Sequence, residues 1–360
     1  MRSAGCFLLI CLLSAPAMAA DVTKLSLDTD YASAQGVLDA FARGSIADEE
    51  LKRLESLPGI REMIEQTGRF STDATPARFE SSLRAAIAHQ PLAPEQDPFR
   101  FAALTAHLSE VQGLMQTMQR DPGRFSSDVY RRLVPYTPSG LDLHVTVHMT
   151  LGGTSDGWAP GDKDFYLSLN HFDGDYQGLV VLTSHEVYHL VQAKLMPGPQ
   201  SQAVAVSQHN TENILIETYR EGSATVVGDP TQVQDGGKWI KWFSGKYASN
   251  ADHLADDYML LDTMLYRAAH DPGVDYDRLY SLGFSGGLGS AAYFVGYNMA
   301  QVIMAYRGRD ALAGHLARPA RDFFTDYLDV CDAHKDDRRC LRFSAEAESV
   351  MRGAGRAARH

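Results

Sequence analysis

The residues His185-Glu186-Val187-Tyr188-His189 form the stretch whose types and spacing specify chemistry most directly. On a helix, histidines four residues apart project from one face, where both imidazoles reach a single ion. Glu186 follows the first histidine and falls beside the ion's open position, where a carboxylate can take a proton from water. The flanks favour a helix. Asp175 can cap its start, apolar residues such as Val181, Val187, Leu190 and Val191 surround the motif, and Pro197-Gly198-Pro199 stops it. Two histidines and a glutamate on such a helix are costly unless they have a partner. The same five residues can also occur by chance, with histidines that cap, hydrogen-bond or face solvent. A third protein ligand downstream would favour zinc, because catalytic zinc takes three protein ligands and keeps a fourth position for water.

Asn213–Asp229 supplies a candidate. Glu217 and Glu221 lie four apart on a helical segment, share a face, and repel each other unless a cation or a proton intervenes. The small residues Gly222-Ser223-Ala224 predict a close approach to the HExxH helix. A solvated acidic face is the plain alternative.

HExxH followed some thirty residues later by Glu221-Gly222-Ser223-Ala224 resembles the gluzincin metallopeptidases, especially zinc-dependent peptidases whose third ligand lies in an EGxA motif. The resemblance implies one zinc ion per chain held by His185, His189 and Glu221, with Glu186 as general base. Glu217 stays open as the rival ligand; otherwise it is expected to accept the second N–H of a ligand histidine. Ser290–Ile303 resembles the tyrosine-and-glycine helix that follows in such families, with Tyr293 and Tyr297 on one face beside Gly296. That likeness implies a phenol holding the developing oxyanion. Two core tyrosines with satisfied hydroxyls are the alternative. The resemblance rests largely on residues 140–310.

The elements that position these groups divide in two. From Asp28 to about Pro135 the chain reads as helices, including Ile60–Thr67, Pro76–His89 and Phe99–Met118, with no cofactor motif. At Gly140 the period changes. Leu141–Leu151 alternates, with Leu143, Val145, Val147 and Met149 on one face and His144, Thr146 and His148 on the other. The two strand histidines lie about 13 Å apart, too far to share a metal, and are expected to be exposed. A glycine-rich loop and a second strand, Asp164–Asn170, precede the HExxH helix. Their sheet is expected to border the cleft, with an edge that can take an extended peptide as an added strand. Trp239–Ala269 reads as a long helix.

The fold class expected is mainly α (α+β): a zincin-like core with a small sheet over the HExxH helix, plus an N-terminal helical region. The segments are 1–19 (signal peptide), 20–138 (helical region), 139–345 (catalytic domain) and 346–360 (tail). The signal rests on Arg2, the apolar run Phe7–Leu13 and the small-residue site Ala17-Met18-Ala19. Seven apolar residues are too few to span a bilayer, so no membrane anchor is expected and the mature protein is read as exported, periplasmic or secreted. Cys6 and Cys11 fall within the signal. Cys331 and Cys340 remain, and in an oxidising compartment they predict one disulfide.

With 44% apolar and 22% charged residues the chain is globular. Its net charge of −12 argues against nucleic acid as a partner. The function expected is hydrolysis of a peptide or protein substrate. The alternatives are a catalytically inactive zincin-like binding protein and a zinc hydrolase of non-peptide amides or esters.

Overall fold

A computed structural model describes residues 23–161, 163–197, 206–285 and 289–353. The proposed signal peptide, Gly198-Pro199 and residues 354–360 of the C-terminal tail lie outside the described residues. The chain is mainly helical with one four-stranded sheet.

The sheet joins segments distant along the chain. Strand β1 (Lys24–Asp30) runs parallel to β2 (Asp142–Thr150), in register from Lys24 opposite Asp142 to Asp30 opposite His148. Asp28–Asp30 therefore closes a strand and does not open the helical region. Parallel strands need a long crossover, here built from α1 (Ala32–Arg43), α2 (Asp48–Ser56), α3 (Pro58–Gly68), α4 (Pro76–Ile87), α5 (Phe101–Thr105), α6 (Leu108–Arg120) and α7 (Pro122–Leu133). The expected helix Phe99–Met118 is two, α5 and α6. Asp97 starts α5 by accepting from the backbone N–H groups of Phe101 and Ala102.

After β2 the chain forms the two-residue strand β3 (Gly157–Trp158), then β4 (Asp164–Ser168). The order is β1-β2-β4-β3, with β4 parallel to β2 and β3 antiparallel on the outer edge. The alternating face of β2 is buried throughout, and its Val147 and Met149 stand in register with Phe165 and Leu167 of β4.

His144 is exposed, but His148 is not. Its Nδ1 lies 2.9 Å from Asp30 Oδ2 and its ring stacks on Tyr166 at 4.9 Å. The expectation of exposure fails because β1 sets an aspartate directly opposite it.

Helix α8 (Tyr176–Leu195) returns beneath β3 and β4. Asp175 caps it by accepting from Gly178 N–H at 3.1 Å. The other Asp175 oxygen accepts from Ile240 N–H at 3.0 Å, which ties the first turn of α10 (Lys238–His270) to that of α8. Between them, α9 (Val206–Val227) packs on α8, and α12 (Ala291–Arg307) packs on α9. Helix α11 (Tyr276–Phe284) leads into α12, and α13 (Arg309–Gly314), α14 (Ala320–Ala333) and α15 (Ala345–Arg352) complete the chain. Cys331 and Cys340 are disulfide-bonded, their Cα atoms 5.2 Å apart. Among the described residues no helix is long and apolar enough to cross a membrane.

Candidate metal centre

Helix α8 is apolar over most of its surface, as a largely buried helix must be. Two of its polar residues meet at one spot. His185 and His189, one turn apart, bring their Nε2 atoms to 3.1 Å, with rings at 85°. From α9, Glu221 places Oε2 3.4 Å from His185 Nε2 and 3.2 Å from His189 Nε2. Among the described residues this is the one group of three possible metal-binding side chains whose ligand atoms all lie within 4.8 Å of one another.

Electrostatics explain what such a cluster needs. Burial alone would raise the Glu221 carboxyl, yet the two imidazoles hold it far below the usual carboxylate range. Burial disfavours charge on His189, but the Glu221 carboxylate outweighs it and pushes the imidazole up to about 9. Without a metal ion, the carboxylate and the imidazole thus favour charge on one another. Glu221 Oε2 is buried and accepts no hydrogen bond. Two imidazole nitrogens and a carboxylate oxygen facing one point suit Zn²⁺, which takes this ligand set in catalytic sites. The donor set and the orphaned oxygen fit the ion.

Glu186 lies beside the cluster. Its burial raises the carboxyl above its ordinary value, although His185 and His189 pull the other way. The Tyr293 ring lies parallel to that of His185, with centroids 6.4 Å apart, and burial, helped by the Glu221 carboxylate, pushes its hydroxyl well above the ordinary value. Tyr297 is not brought to the cluster. Its hydroxyl donates to Asp229 Oδ2 at 2.8 Å. Glu217 also stays outside, one turn before Glu221, with Oε1 2.9 Å from Arg220 Nη1.

Of the small residues, Ser223 meets the HExxH helix as expected, its Oγ 2.9 Å from Gln192 Nε2. Gly222 does not face the HExxH helix. It meets Gly296 of α12, where an added Cβ would overlap that glycine's backbone and come within 2.7 Å of Tyr297 N. This crossing of two glycines lets α12 lie close enough to hold Tyr293 over His185. The residue that admits α9 to α8 is Gly228, whose added Cβ would meet His185 Cβ at 2.7 Å.

Sequence reasoning missed Gly228 and Gln192. Gln192 is wholly buried and its Oε1 lies 2.8 Å from His189 Nδ1, the partner position expected of Glu217. The signal was present: an amide three residues after His189 on an apolar helix shares that histidine's face.

A family model described as "Putative zinc dependent peptidase (DUF5700)" matches residues 51–336. The chain belongs to this family. The match runs from α2 to the end of α14, so the family likeness reaches well beyond residues 140–310 and takes in most of the helical crossover as well as the metal cluster. Searches of curated proteins and of solved structures find no match.

Proposed function

We propose that the protein is an exported zinc-dependent peptidase of the gluzincin type, with one zinc ion held by His185, His189 and Glu221. The observation that carries this reading is the convergence of these three side chains, with an orphaned carboxylate oxygen, beside a glutamate whose burial raises its basicity. The family description supports the zinc and the peptidase. The disulfide fits an oxidising compartment.

Zinc held there would supply Lewis acidity, which makes water more acidic and a carbonyl more electrophilic. Glu186 takes the proton as water attacks the peptide carbonyl, then delivers it to the departing amine and returns to carboxylate. A carboxyl raised above its ordinary value suits both halves of this shuttle. Tyr293, the phenol over the cluster, donates to the oxyanion as it forms. Tyr297 is assigned no contact with substrate and holds Asp229. The free side of β3, which packs beside α8 with Gly157 close to Leu182, offers the edge along which an extended peptide would lie.

The test is turnover of a fluorogenic peptide library by wild type and Glu186→Gln, with zinc content measured in both. The variant is expected to keep its zinc and lose about 10²- to 10⁴-fold in rate. Full activity in Glu186→Gln would overturn the proposed mechanism.

A further inference from the structure

Gln192 contacts both a proposed ligand, His189, and the turn carrying another, Glu221. It is completely buried on α8. Its Nε2 donates to Arg220 O at 2.8 Å and to Ser223 Oγ at 2.9 Å, while Oε1 lies 2.8 Å from His189 Nδ1. Arg220 and Ser223 flank Glu221 in the sequence.

The proton bookkeeping is determined by groups that have no choice. A backbone carbonyl only accepts, so the side of the amide facing Arg220 O must be the NH₂. Ser223 has spent its single hydroxyl hydrogen on Tyr219 O, 2.7 Å away, so its oxygen can only accept from Gln192. Both amide hydrogens are therefore used on α9 and the carbonyl oxygen faces His189. That oxygen accepts, so Nδ1 must carry hydrogen. In the neutral ring this leaves Nε2 bare, with its lone pair on the side where His185 Nε2 and Glu221 Oε2 lie at 3.1 and 3.2 Å.

We propose that Gln192 is a positioning residue that selects Nε2 of His189 as the metal-binding nitrogen and registers the Glu221 turn against it. This rests on the zinc reading given above. Gln192 touches neither substrate nor reacting atoms. It acts by fixing a tautomer and by gripping α9 on both sides of a ligand, so that two ligands from two helices share one geometry. Hydrogen-bond partners of ligand histidines act this way generally, and losing one weakens metal binding about 10- to 100-fold.

The first test needs no variant. In wild-type protein loaded with zinc and carrying ¹⁵N-labelled histidine, the His189 resonances should show Nδ1 protonated and Nε2 bonded to the metal. Metal on Nδ1 would overturn the proposal. The second test compares zinc affinity, by competition with a chelator, in Gln192→Leu and Gln192→Glu, with circular dichroism confirming the fold. Both variants lose the amide donor to Arg220 O, but only Glu keeps an oxygen on Nδ1. Gln192→Leu should bind zinc about 10- to 100-fold more weakly, and Gln192→Glu should recover most of that loss. Equal losses would refute the tautomer role and leave only a tether between helices. Unchanged affinity in Gln192→Leu would refute both roles. All these outcomes presuppose that wild type binds zinc; a wild type that does not would instead sink the zinc reading.

Discussion

Replacing Gly222 by alanine tests how the site is assembled from three helices. The new methyl would overlap the Cα and carbonyl carbon of Gly296 and come within 2.7 Å of Tyr297 N. Comfortable carbon contacts begin at about 3.5 Å, so α9 and α12 must part by roughly 1 Å or more. No flexible side chain can yield, because backbone lies on both sides. Overpacking usually costs about 1–3 kcal/mol when side chains can adjust, so about 3 kcal/mol is expected here. At about 2–4 °C per kcal/mol for chains of 150–250 residues, and less for longer ones, the melting temperature should fall by roughly 6 °C. Zinc affinity should fall with it, since Glu221 precedes the substituted residue and Tyr293 rides on the displaced helix. The matched control is Gly113→Ala on α6, where an added Cβ meets nothing within 4 Å. There alanine should stabilise by about 0.5–1 kcal/mol. Calorimetry of both variants, with zinc titrations, decides the matter. If Gly222→Ala unfolds like wild type, the close glycine crossing does not hold the site as described.

Three further outcomes are expected. Glu221→Ala should weaken zinc binding far more than Glu217→Ala, as read by chelator competition; the reverse order would exchange their roles. Zinc affinity should depend on pH. In the metal-free protein the His189 imidazole is pushed up to about 9, so below that pH zinc must displace a proton, and log affinity should climb about one unit per pH unit towards pH 9 and then level. The same shift, upward from 6.5, stabilises the chelated protein fully below pH 6.5, and that contribution is lost as pH rises through about 9. An affinity that is flat between pH 7 and 8.5 would contradict this electrostatic account. Finally, Tyr293→Phe should lower kcat with zinc retained, whereas Tyr297→Phe should chiefly lower stability by removing one donor to Asp229; equal loss of kcat in both would overturn the distinction.

How much of this was legible in the sequence depended on distance along the chain. Helix α8 was legible because its signals are local: Asp175 at the cap, apolar residues on every side, and two histidines at helical spacing. Strand β2 was legible because its alternation runs over nine residues. Strand β1 was not, since its short alternating run matters only once β2, more than a hundred residues later, offers it an edge. The burial of His148 was hidden for the same reason, because Asp30 reaches it only through that pairing. Strand β3, two residues long, carries no periodic signal at all. Around the metal cluster, residue types identified the ligand candidates but not their neighbours. Gly222 was recognisable as a point of close approach, yet nothing local to it indicates Gly296 as the partner. Gln192 was readable in principle, as a buried amide on the face of His189, because a helix fixes that relation by itself.

The central claim is that His185, His189 and Glu221 hold zinc. Metal content of the purified protein, measured by mass spectrometry beside a His185→Ala/His189→Ala control of verified fold, tests it most directly. The account predicts about one zinc per wild-type chain and none in the control. No zinc in the wild type after reconstitution, or as much in the control, would contradict it.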